Sequence, residues 1–206
     1  YKRQAIFRQR RDYRRAREVY QNVEGMLEVE DAGKLISARL RLADGFLEIG
    51  ESERAREHAM GVHDLSLELS EHQLHARSRV ILGRYYARTK DSELSLLHYN
   101  AALETFSEEA NPTNAVETEM LLGQVLVDVG RTSEASEHYL DALSIAEAND
   151  FRLLQAEILA RLGTIRGDRS ERVAYLQRSL SVFKDLGAHT RMKEIQNSVH
   201  RALMGR

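Results

Sequence analysis

Leu42, Leu82, Leu122 and Leu162 stand at successive separations of 40 residues, and their surroundings recur with them. Leu82-Gly83 is followed by Tyr99 and Ala102-Leu103. Leu122-Gly123 is followed by Gly130, Ala135, Tyr139 and Ala142-Leu143. Leu42-Ala43 leads to Gly50 and Ala55, and Leu162-Gly163 to Gly167. Self-similarity at a fixed period of this size marks a stacked repeat, in which each copy buries its apolar face on its neighbours. Such arrays hold other molecules more often than they transform them.

Within one repeat the apolar residues fall at helical spacing. Met120, Leu121, Val125, Leu126 and Val129 mark a first helix, A, which Gly130 ends. Ala135, Tyr139, Ala142, Leu143, Ile145 and Ala146 mark a second, antiparallel helix, B. The small residues Gly123 and Ala142 predict a close approach between the two. Four repeats align from Ile36, Ala76, Val116 and Ala156, giving the spans 36–75, 76–115, 116–155 and 156–187. A partial repeat over 1–35 precedes them, with Ala16, Tyr20 and Val23 on its helix B and a shortened helix A before it. A closing helix over 188–206 follows them. Arg191, Lys193, Glu194, Gln196, Asn197 and Arg201 suit its outer face. The whole of 1–206 is expected to be one helical-repeat domain. The interval from Gly163 to Gly167 is shorter than that from Gly123 to Gly130, so the last helix A should end about a turn early.

Composition excludes several function classes. There is no Cys in the 206 residues, hence no disulfide or thiolate metal site, and the net charge of −2 gives no general affinity for nucleic acid or anionic lipid. No apolar run reaches the length of a membrane helix, and no targeting segment is visible. A cytoplasmic protein is the expectation. No phosphate-cradling loop, nucleophile motif or HExxH is present, so neither enzyme activity nor a cofactor is expected.

The pattern carried by Leu122-Gly123, Gly130, Ala135, Tyr139 and Ala142-Leu143 resembles the tetratricopeptide repeat, and the resemblance runs along nearly the whole chain. The 40-residue period is similar to the longer variety found in kinesin light chains and bacterial multidomain regulators. The resemblance implies an all-α solenoid, a right-handed superhelix of antiparallel helix pairs. Departures are visible. Where the family has a large apolar residue three places before the Leu, this chain has Arg39, Arg79 and Glu119, with only Leu159 apolar. Ala43 replaces a Gly, Ser95 replaces an Ala, and the one Pro, Pro112, is expected to precede helix A rather than follow helix B.

The resemblance also implies that helix A residues line a concave groove. Leu40, Val80, Met120 and Ala160 then form an apolar strip along it. Polar positions beside the strip read Ser37, Arg77, Glu117, Glu157, then Asp44, Arg84, Gln124, Thr164, then Glu48, Arg88, Asp128. Arg77, Arg84 and Arg88 share one helical face between two more acidic helices. Two readings stand. The stripe grips a carboxylate or phosphate, for which the guanidinium fork is suited. Alternatively it pairs in register, Arg77 with Glu117, Arg84 with Asp44, and Arg88 with Glu48 and Asp128. A ligand that displaces some pairs reconciles them. The Lys and Asn set of the carboxylate-clamp variety is missing at Ser37, Leu40, Asp44, Arg77, Val80 and Arg84, so chaperone tails are not expected.

His58, His98 and His138 also recur at 40 residues and are expected to pack half-exposed. His72 and His75 lack the further ligands of a zinc site. Residues 1–20 carry a charge of +6, leaving −8 for the rest; a solvated or domain-docking surface is expected there, ahead of nucleic-acid contact. The leading expectation is a scaffold that binds a protein or peptide segment, as a regulatory part of a larger signalling or transcription-control protein. The alternative is a ligand- or peptide-sensing array that switches an attached output domain. Self-association through the partial first repeat is a further option; membrane and nucleic-acid partners are not expected.

Overall fold

The computed structural model describes residues 18, 22, 32–165 and 168–204, and among them every regular element is an α-helix. These are α1 (Ala32–Glu48), α2 (Ser52–Glu68), α3 (His72–Arg88), α4 (Ser92–Glu108), α5 (Pro112–Asp128), α6 (Thr132–Ala148), α7 (Arg152–Leu162), α8 (Arg169–Asp185) and α9 (His189–Leu203). The chain forms two compact halves, Tyr1–Thr105 and Phe106–Arg206, with the division inside α4. The expected partial repeat, the basic stretch of 1–20 and Gly167 lie outside the described residues, apart from Glu18 and Asn22.

A single turn design sets the helix ends. In the turn after α1, Gly50 N–H donates to Leu47 O and Glu51 N–H to Phe46 O, with Gly50 at φ 82°. This double bond pattern closes a helix through one left-handed residue. The same pair of bonds follows α2 through α6 and α8. Glycine takes the left-handed place at Gly50, Gly130 and Gly187, while Ser70, Lys90, Ala110 and Asp150 occupy it at a steric cost. These turns place helix A starts at His72, Pro112 and Arg152. Each lies four residues ahead of the start expected from apolar periodicity, because the first turn of helix A is mostly polar. Pro112 therefore opens α5 rather than preceding it, and the Asn111 side chain caps the helix by accepting from Asn114 N–H at 3.3 Å.

Helices A and B meet where the small residues stand. A Cβ added at Gly83 would lie 2.5 Å from the Tyr99 ring, and one at Gly123 would lie 2.5 Å from Tyr139. Each glycine makes room for an aromatic ring rather than for bare backbone contact. Tyr99 and Tyr139 are each 1% exposed, and burial pushes the Tyr99 hydroxyl pKa up to about 12. Ser95, the departure from Ala, is accommodated because its hydroxyl donates to Gly83 O at 2.9 Å. The last pair departs in the expected direction, but by more than the one turn expected. Helix α7 has 11 residues where α5 has 17, and α8 begins 37 rather than 40 residues after α6. Leu176 consequently takes the Tyr139 position, 2.5 Å from a Cβ placed on Gly163.

Each half has its own apolar core. In the first, Ile36, Leu40, Ala43, Phe46 and Leu47 of α1 pack with Ala55, Ala59 and Val62 of α2 and with Ile81 and Leu82 of α3. In the second, Val116, Met120, Tyr139, Leu143, Ile158 and Leu162 form one cluster, and Leu176, Phe183, Ile195 and Ala202 another. The apolar groove strip is corrected here. Leu40 is 1% exposed and Met120 7%, so both are core residues. Leu40 shares a helical stripe with Ile36, Ala43 and Leu47, at separations of three and four, and Met120 likewise with Val116 and Gly123. No described helix is long and apolar enough to cross a membrane.

Candidate functional site

In the first half, α1 and α3 bring two carboxylates onto one guanidinium. Arg84 Nη1 donates to Asp44 Oδ1 at 2.8 Å, and Arg84 Nη2 to Glu48 Oε1 at 2.8 Å. Asp44 and Glu48 are one helical turn apart, so both oxygens reach the fork of Arg84 from one side. Burial raises the Asp44 pKa, and the charges of Arg84 and Arg77 oppose that shift. Arg88 donates from Nη1 to Leu47 O, covering a carbonyl at the C-terminal end of α1. Arg77 is exposed and Val80 half-buried. Expected and observed pairing therefore agree for Arg84 with Asp44, whereas Glu48 pairs with Arg84 and not with Arg88. The pairings of Arg77 with Glu117 and of Arg88 with Asp128 would cross from one half to the other, and they stay expectations.

The second half repeats the theme in neutral form. Gln124 Nε2 donates to Asp128 Oδ1 at 2.9 Å, while Gln124 Oε1 accepts from Arg161 Nη1 at 2.8 Å. The Arg161 guanidinium lies 6.0 Å over the Tyr139 ring, within cation–π range. Glu117 and Asp128 are exposed. Glu157 accepts from Arg191 Nη2 at 3.2 Å, which ties α7 to α9. Sequence reasoning missed Arg161, because it falls outside the three columns chosen as groove positions.

The charged departures from the family pattern occupy a different layer, between helices A and B. Glu119, 7% exposed, meets His138 Nδ1 at 2.6 Å. That hydrogen bond and the Glu119 charge raise the His138 pKa against the opposing effect of burial. His138 is thus half-buried as expected, with an ionic partner that packing alone did not imply. His58 is 8% exposed and stacks on Phe46 with centroids 5.5 Å apart; His98 stacks on Tyr86 at 5.3 Å. The signal lay in two 40-residue series offset by 19: Arg39, Arg79, Glu119 against His58, His98, His138. Among the described residues, no three His, Cys, Asp or Glu side chains are placed to share a metal ion.

Residues 120–149 match the tetratricopeptide repeat. Among solved structures, the chain superposes on a signal-transduction ATPase with numerous domains from Pyrococcus horikoshii, which has a tetratricopeptide repeat sensor. The TM-score is 0.77 at 13% identity, over 91% of this chain and 30% of that one. It superposes on aspartyl phosphate phosphatase F from Bacillus subtilis with a TM-score of 0.75 at 14% identity, over 86% of this chain and 47% of that one. For the Rap conjugation gene regulator of the plasmid pLS20, in complex with the Phr peptide, the TM-score is 0.59 at 14% identity, over 86% and 56%. The chain thus spans less than two thirds of each of these proteins. No curated protein matches it by sequence. The chain carries a tetratricopeptide repeat and has the all-α, tetratricopeptide-type solenoid fold.

Proposed function

We propose, starting from that repeat fold, that the chain is a protein-interaction scaffold without catalytic activity. Its partner is a peptide or protein segment, taken on the A-helix face. The residues assigned to contact are Asp44, Glu48, Arg77, Val80, Arg84 and Arg88 in the first half and Glu117, Gln124 and Asp128 in the second, with Arg161 added. Leu40 and Met120 support them from the core.

The observation that carries this reading is the Arg84 fork held by Asp44 and Glu48. Each pair is solvent-accessible and contributes about 0–1 kcal/mol to stability. A set of charges that stabilises so little, yet is preorganised in a fixed fork, is suited to exchange. An acidic group on a partner takes Arg84, and a basic group takes the released carboxylates. A partner segment of mixed charge satisfies both. The pLS20 regulator with its Phr peptide provides a peptide-bound case of this general fold. The sensor named for the Pyrococcus ATPase supports the second reading, a sensing array that switches an attached output domain.

The test is capture by the purified array followed by mass spectrometry, repeated with Arg84→Glu/Arg88→Glu. The scaffold reading expects specific partners for the parent chain and their loss in the variant, with helicity unchanged. A parent chain that captures no specific partner contradicts it.

A further inference from the structure

The first half contains a group of side chains that neither its core nor the proposed partner face uses. His63 of α2 and His75 of α3 lie with ring centroids 4.3 Å apart, tilted by 40°. His98 of α4 stacks on Tyr86 of α3. Arg79 of α3 acts electrostatically on all three imidazoles. From α1, the Arg39 guanidinium covers Gly61, two residues before His63. His72 adds to the positive surroundings of His75, and Asp64 is the acid that acts on His63.

Four nitrogens in this region are buried without a hydrogen-bond partner: Arg39 Nε, His63 Nδ1, His75 Nε2 and His98 Nδ1. On the histidines, a bare nitrogen is tolerable when it carries a lone pair, in the neutral tautomer whose proton sits on the other nitrogen. A second proton must enter at that bare nitrogen. It would create a buried N–H without an acceptor and a positive charge beside Arg79. The second half treats its histidine oppositely, with Glu119 waiting as an acceptor for His138.

We propose that His63, His75 and His98 around Arg79 form an acid-sensitive latch that loosens α2, α3 and α4 as pH falls, while the His138–Glu119 pair keeps α5 and α6 packed. The sign follows from linkage. The three cluster histidines have lowered pKa values, by burial first and like charge second, with His75 at about 4. The unfolded first half therefore binds more protons below pH 6.5, and its stability falls from there toward pH 4. For His138 the pKa is raised, so its contribution is full below 6.5 and is lost as pH rises. The latch does not depend on the partner reading above.

Amide hydrogen exchange of the whole chain at pH 7.5 and pH 5.0, corrected for the intrinsic effect of pH, tests the latch. The expected result is a rise in opening of α2–α4 at pH 5.0, roughly 30-fold from His75 alone, with opening of α5 and α6 no greater than at pH 7.5. His75→Leu should remove most of that rise. An equal response in both halves, or full acid sensitivity in His75→Leu, overturns the proposal. Should that variant not fold, histidine C–H resonances of the parent chain decide. Cluster histidines titrating well below pH 6 support the latch; titration near 6.5 overturns it.

Discussion

Glu119 shows how a single charged residue can replace an apolar one without an unpaired charge. Its carboxylate is buried but meets His138, and a pair of this kind is more costly to break than it is valuable to make. Replacing His138 with Gln should destabilise the chain by about 1–2 kcal/mol at pH 6. The loss should shrink at pH 9, well above the ordinary histidine range, because a contribution that comes from a raised pKa is lost as pH rises. Urea unfolding at both pH values checks this; a loss that does not depend on pH contradicts the pairing. At Ala110 the expectation is opposite. Its φ of 49° is a left-handed conformation that glycine adopts without a Cβ clash. Ala110→Gly should therefore stabilise by about 0.5–1 kcal/mol, read as a higher urea midpoint with unchanged slope.

At the scale of helices, the Gly–Tyr contact between A and B fixes how closely the pair packs. Gly123→Ala forces a methyl against the Tyr139 ring, which should cost about 1–3 kcal/mol. Ala43 and Ala59 occupy the same two positions in the first repeat, both fully buried. Gly123→Ala combined with Tyr139→Ala recreates that arrangement, so the double variant should cost less than the two single changes added. Additive costs would show that the ring and the glycine act independently.

Much of this packing was legible from the 40-residue ruler. The glycine, tyrosine and alanine columns, the turn glycines and the shortened α7 all stood at their places in the sequence. Helix starts were not legible, because polar first turns such as His72-Gln73 carry no apolar signal. Leu40 and Met120 were misplaced for a related reason: one column aligned across repeats does not say which way a helix faces. The stripe of separations three and four within each helix does.

For the whole molecule, the two series of charges have separate roles. Arg84 with Asp44 and Glu48 lies on the A-helix face and is accessible, whereas in the His63–His75–His98 group, between helices, His75 is buried and His63 and His98 are half-buried. The first was legible as a column of opposite charges on consecutive A helices. The second was not, since His63 and His75 belong to different columns and meet only through the packing of α2 on α3.

The central claim is that the face built by Asp44, Glu48, Arg84 and Arg88 takes the partner. Its most direct measurement is the affinity of a partner captured by the parent chain, compared with that for Arg84→Glu/Arg88→Glu by titration calorimetry, with circular dichroism on both. The account predicts at least a hundredfold weaker binding, about 2.7 kcal/mol, with unchanged helicity. Equal affinity in a folded variant would contradict it.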